Sequence, residues 1–149
     1  VPLSKGEFEA ALIILYRLLK GLELLNEAEL RVLRGSVRHN IGVIRLWQAN
    51  YEYALASFEK AVEERLAYLP SNHADIVVSL VQKGTTYFAL ERFEEAIATW
   101  NIALPMTQLD HIIRAKILNN LGVAQYHQKD FSAALKNFTA SLEIQRHWL

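Results

Sequence analysis

The chain has 149 residues, enough for one domain or one short array that buries roughly 68–70% of its unfolded surface. Lys plus Arg and Asp plus Glu both number 16, so the chain lacks the basic footprint of a nucleic-acid binder and the Lys/Arg clusters that an anionic membrane surface attracts. Cysteine is absent, which excludes disulfides, a thiolate nucleophile and a Cys-based metal site.

The N-terminus, VPLSKGEFEA, has neither the basic flank nor the apolar core of a signal peptide, and the first residue is not Met. It reads as the start of a fragment excised from a longer, cytoplasmic protein. Ser4 and Glu7 form a capping-box pattern, and Phe8, Ala11, Leu12, Leu15, Leu18 and Leu19 follow at helical spacing. Ala10–Leu19 is the most apolar stretch, yet Arg17 breaks it well short of the roughly 18 apolar residues of a membrane span, so it reads as a core helix. That helix ends at Gly21 or runs one turn further, to Leu25. Asn26 to Glu29 is a second capping signal, opening a helix to about Ala49 whose apolar face holds Leu30, Leu33, Val37, Ile41, Ile44 and Trp47. Gly42 within it costs about 1 kcal/mol relative to Ala and therefore implies close approach of the paired helix near Ala54. Asn50 caps the next helix, Tyr51 to about Leu69, which Pro70 stops.

Asn72-His73-Ala74-Asp75 opens a helix to about Leu90, and its partner runs from Arg92 to about Leu104, ended sharply by Pro105. Thr107 to Asp110 opens the last pair, about Asp110–Gln128 and Phe131–Trp148. Links within pairs are short, such as Glu91-Arg92 and Lys129-Asp130, as antiparallel neighbours require. The chain is thus expected to be all-α, with about seven helices.

One spacing recurs three times. Gly42, Tyr51, Ala54, Phe58 and Ala61 are matched by Gly84, Phe93, Ala96, Trp100 and Ala103, then by Gly122, Phe131, Ala134, Phe138 and Ser141. These fifteen positions, with Ser141 the one mild departure, resemble the tetratricopeptide repeat, which places Gly, two aromatics and two small residues at these offsets. The glycines lie 42 and then 38 apart rather than 34, and Asn119-Asn120-Leu121-Gly122 and His73-Ala74-Asp75-Ile76 are similar to phrases of the long repeats of kinesin light chains. In the second repeat the amide phrase reads Val81-Gln82-Lys83-Gly84 instead. The resemblance implies a right-handed superhelix, an α-solenoid, formed as a single array over 1–149. Its parts would be a half-repeat at 4–25 and repeats at about 26–69, 71–105 and 107–149.

In such an array the first helix of each repeat lines a concave groove. There the ladder reads His39, Val43 and Trp47; Val81, Thr85 and Phe88; and Asn119, Val123 and His127, with Val78 adding to an apolar floor and Lys116 at the edge. Two residues before each Gly stand Asn40, Gln82 and Asn120. The family's Asn at this place holds the backbone of an extended peptide, and the resemblance carries that role to Asn40 and Asn120, with Gln82 as the longer counterpart. The alternative is that these amides cap neighbouring backbone or face water. Trp47 is either packed or a ligand anchor, and Trp100 belongs to the core. A related variant of the repeat grips a C-terminal carboxylate with Lys and Arg, but His39, Val43, Val81, Gln82 and Thr85 supply neither. An extended peptide with alternate apolar side chains suits the groove better.

No two of His39, His73, His111, His127 and His147 are spaced to share a metal on one helix, and no phosphate-binding or nucleophile-elbow motif occurs. Glu63-Glu64 and Glu94-Glu95 fall at solvated helix positions rather than in a catalytic pair. The chain therefore reads as a non-enzymatic scaffold for a protein or peptide partner, without cofactor, nucleic acid or membrane. Self-association through uncapped terminal helices is a second reading, and a regulatory role within a larger protein a third.

Overall fold

A computed structural model of the chain describes residues 3–24 and 28–148, the side chain of Glu29 apart. These residues form seven α-helices: α1 (Lys5–Glu23), α2 (Ala28–Trp47), α3 (Tyr51–Tyr68), α4 (Ala74–Ala89), α5 (Phe93–Ala103), α6 (His111–His127) and α7 (Phe131–Trp148). The fold is all-α, and no strand occurs among the described residues. None of the helices is long and apolar enough to cross a membrane. The chain divides into two compact units, Val1–Ser79 and Leu80–Leu149, with the division inside α4.

Helix starts follow local chemistry. Ser4 and Glu7 make the reciprocal capping box, with Ser4 N donating to Glu7 Oε2 at 2.6 Å and Glu7 N to Ser4 Oγ at 3.3 Å. Asp110 caps α6 by accepting from Ile113 N at 3.0 Å. The His73 ring caps the start of α4, its Nδ1 accepting from Asp75 N at 3.1 Å. Asn50 sits at the N-cap of α3 but its side chain makes no cap hydrogen bond, contrary to expectation. The Asn26 to Glu29 signal lies largely outside the described residues. Pro105 does not end its helix sharply: it falls in the first turn of a 3-10 segment, Leu104–Thr107, where its missing N–H costs nothing.

The links within pairs share one geometry that the sequence conceals. Ala49, Glu91 and Lys129, each seven residues after a repeat glycine, have φ of 60°, 58° and 63°. Around each, the next N–H reaches back to a carbonyl five residues earlier (Asn50 to Arg45, Arg92 to Tyr87, Asp130 to Gln125, all 2.9 Å). This is the Schellman turn, which favours Gly at its left-handed residue. Left-handed backbone costs a Cβ-bearing residue on the order of 1–2 kcal/mol, only partly offset by the greater chain entropy that Gly loses on folding. Ala49→Gly is therefore expected to stabilise the protein by about 0.5–1 kcal/mol, read as a higher urea midpoint at unchanged slope.

In the first unit, Leu12, Leu19 and Leu22 of α1 form a core with Val37, Ile41 and Ile44 of α2. Ala54, Leu55, Phe58 and Ala61 of α3 are also buried. Leu33, expected on the apolar face, is 45% exposed. In the second unit Trp100 is 2% exposed and its Nε1 donates to Val81 O at 3.1 Å, while Ile117, Leu118, Leu121 and Ala134 complete the interior. Ser141 takes a small core position without penalty because its hydroxyl donates to Ala115 O at 2.8 Å. The repeat glycines are spaces for aromatic rings. A Cβ on Gly42 would stand 2.7 Å from the Phe58 ring, on Gly84 2.3 Å from Trp100, and on Gly122 2.7 Å from Phe138. The close approach at Gly42 is thus made by a ring sixteen residues on rather than by Ala54.

Candidate functional site

The helical period turns α2 so that Asn40, Val43 and Trp47 lie along one stripe at three- and four-residue steps. They border a cleft of about 420 Å³ whose opposite wall is Ala11, Ile14 and Leu15 of α1. Asn40 is exposed, Val43 half-buried, and Trp47 63% exposed with its ring 6.1 Å from that of Phe8. Trp47 is thus an accessible aromatic surface rather than core. Val78, near the end of the first unit, is 37% exposed.

The second unit holds a smaller cleft of about 80 Å³, bordered by Thr85, Phe88, Trp100, Asn120 and Val123. Asn120 and Val123 here occupy the positions that Asn40 and Val43 occupy in the first unit: two residues before the repeat glycine and one after it. The Thr85 hydroxyl donates to Val81 O at 3.0 Å, which commits its proton to the backbone. Gln82 is half-buried, and Lys116 and Asn119 are exposed. His127 is exposed yet engaged. Its ring stacks on Phe93 at 5.1 Å and meets the edge of Phe88 at 5.3 Å.

Two expected groove residues point inward instead. Val81 is 5% exposed. His39 is 9% exposed, its ring edge-on to Phe58 at 5.4 Å and its Nδ1 2.8 Å from Ser79 Oγ. The Ser79 hydroxyl is also 2.6 Å from Nη1 of the buried Arg65, which donates at 2.6 Å to Asp75 O as well. A guanidinium only donates, so Ser79 Oγ accepts from Arg65, and its contact with His39 Nδ1 closes the network. The surroundings of His39 favour the neutral imidazole. Burial, followed by the nearby Arg65 charge, lowers its pKa from 6.5 to about 4. This network escaped the sequence reading, although an Arg one turn after the buried Ala61 was a signal.

The carboxylate pairs are not uniformly solvated: Glu63, Glu94 and Glu95 are exposed and Glu64 is half-buried. Glu64 stands 3.6 Å from Arg34 Nε and 3.9 Å from Arg38 Nε, and Glu95 pairs with Arg92. Among the described residues no group of three or more His, Asp or Glu side chains comes together as a metal site.

The sequence profile of the tetratricopeptide repeat matches residues 33–108 and 75–147. A comparison with curated protein sequences finds no match. Among solved structures, the chain is similar to BtubC (BKLC) from P. vanneervenii, with a TM-score of 0.81 at 18% identity, covering 95% of this chain and 57% of that one. A putative kinesin light chain with nearly identical repeats from Podosopora anserina gives 0.76 at 17% identity, covering 94% and 68%. The N-terminal domain of stress-induced protein-1 from C. elegans gives 0.66 at 21% identity, covering 79% and 89%. The chain thus spans little more than half the length of BtubC, and at these identities the likeness is one of fold.

Proposed function

Because the chain belongs to the tetratricopeptide repeat family, whose members are generally protein–protein interaction modules, we propose that its amide-flanked clefts hold extended segments of a partner protein. The observation that carries this reading is a recurrence. Each unit presents an Asn and a Val three residues apart, on either side of a repeat glycine, at the mouth of an apolar cleft. A primary amide both donates and accepts, so it can pair with the N–H and C=O of one peptide unit while the neighbouring apolar side chain enters the cleft. Of the other expected groove residues, Val78 in the first unit and Gln82, Lys116, Asn119 and His127 in the second are exposed or half-buried, whereas His39 and Val81 are packed away. The lining is uncharged at Asn40, Val43, Trp47, Thr85, Asn120 and Val123, which favours peptides with alternate apolar residues.

The test is a peptide array of extended sequences with apolar residues at alternate positions, read against the native protein and the Asn40→Ala and Asn120→Ala variants. Each variant is expected to lose about tenfold in affinity, the scale of a hydrogen-bonded amide in a desolvated site, without a change in unfolding midpoint. Binding confined to poly-acidic peptides, with a steep salt dependence, would overturn the reading. A second reading, self-association, has its own support: α1 exposes Ile13 and Ile14 at 53% and 65%. Light scattering separates the two, since a dimer indifferent to both Asn changes favours the second.

A further inference from the structure

A second cleft of the first unit, of about 680 Å³, is lined from α1 by Lys5, Phe8, Glu9, Leu12, Ile13 and Tyr16. From the end of α2 and the turn that follows, Arg45, Gln48 and Asn50 close it. It is a different surface from the Asn40–Val43–Trp47 cleft. Arg45 is two residues from both Val43 and Trp47, which places it roughly 200° round α2 from that stripe. Phe8 lines one cleft and Trp47 the other.

The state of Arg45 is what sets this cleft apart. Its guanidinium lies over two tyrosine rings, 5.9 Å from the centroid of Tyr16 and 5.6 Å from that of Tyr53. Its hydrogen bonds, to Gln48 Oε1 and Tyr16 Oη, are both 3.4 Å long and both to neutral groups. Its Nε is buried without any hydrogen-bond partner. Arg34 and Arg38 also have buried Nε atoms without hydrogen bonds, but each stands within 4 Å of Glu64. Among the described residues no carboxylate pairs with Arg45. The two rings confine the cation, so pairing it with a carboxylate costs little further side-chain entropy.

We propose that this cleft is a second recognition site, specific for a single glutamate or aspartate side chain flanked by apolar residues in a partner peptide. Arg45 pairs with the carboxylate, Lys5 adds a second positive charge at the mouth, and Phe8, Leu12 and Ile13 receive the flanking apolar groups. Glu9 lines the same cleft and lowers its net charge, which disfavours a dianion such as phosphate.

The test uses 15N-labelled protein and the resolved Arg45 Nε–H resonance, titrated with acetyl-Ala-Leu-Glu-Leu-Ala-amide and with its Glu→Gln counterpart. The Glu peptide is expected to move that resonance saturably, and the Gln peptide at least tenfold more weakly. Arg45→Gln, checked for folding by circular dichroism, is expected to weaken Glu-peptide binding about tenfold, and Glu9→Gln to strengthen it slightly. Asn40→Ala should leave the saturation of the Arg45 resonance unchanged, because that readout is local to this cleft, which separates this site from the one proposed above. Equal responses to the two peptides, tighter saturation by inorganic phosphate, or a dimer that Arg45→Gln dissociates would each overturn the proposal. The wild-type titration decides the matter even if Arg45→Gln fails to fold.

Discussion

Gly84→Ala is expected to cost about 3 kcal/mol of stability, lowering the urea midpoint and exposing Trp100 at lower denaturant. The change would ordinarily help, since Ala is favoured over Gly in a helix by about 1 kcal/mol. Here the added methyl would stand 2.3 Å from Trp100 Nε1, 2.6 Å from Cδ1 and 2.7 Å from Cε2. The indole cannot retreat cheaply, because it is 2% exposed and its Nε1 is bonded to Val81 O. Gly42→Ala and Gly122→Ala meet Phe rings at 2.7 Å and should cost somewhat less. Gly21→Ala is the control. Nothing lies within 4 Å of a Cβ there, so it should gain up to about 1 kcal/mol. Equal midpoints for Gly84→Ala and Gly21→Ala would refute the ring-slot account.

The second large effect is on acid stability. His39 has a folded pKa of about 4, against 6.5 for the free side chain. The unfolded chain therefore takes up a proton between pH 6.5 and 4 that the folded chain refuses. Stability is fully present above about pH 6.5 and is lost as pH falls toward 4. The lowered pKa corresponds to about 3 kcal/mol over that window. The cause is burial first and the Arg65 charge second: a protonated ring would be a desolvated cation beside Arg65, whose guanidinium shares the Ser79 hydroxyl with it. In His39→Gln the loss across this window should largely vanish. Unfolding free energies measured from pH 7 to 4 check this, and parallel curves for the two proteins would sink it.

Much of the fold was legible because its determinants are local. The capping box at Ser4 and Glu7, the stop before Pro70 and the recurring Gly-to-aromatic spacing each act within about sixteen residues, so counting along the chain finds them. The Schellman turns at Ala49, Glu91 and Lys129 were not legible, because the residues at the left-handed position are not the glycine that normally marks it. Asn50 was misassigned as a side-chain cap: its side chain makes no cap hydrogen bond, although Asp130 at the equivalent position accepts from Ala133 N at 3.2 Å.

The site divides in the same way. Asn40, Val43 and Trp47 share a helix face by periodicity, and the structure brings them to one cleft. Periodicity alone put His39 beside them, and that failed because its partners, Ser79 and Arg65, are 40 and 26 residues away. The opposite wall of the cleft, Ala11, Ile14 and Leu15, belongs to a half-repeat that the groove argument set aside.

The repeat family, the number of helices and the need for close approach at Gly42 were therefore determined by sequence alone, since helical period and side-chain volume suffice for them, whereas the structure showed that a ring makes that approach at each repeat glycine. Which polar groups would be dry was decided only by tertiary structure. His39, Arg65 and Arg45 sit on helices whose own pattern permits either fate. Whether each is buried, paired or left seeking a partner depends on what a neighbouring helix, distant in sequence, sets against it.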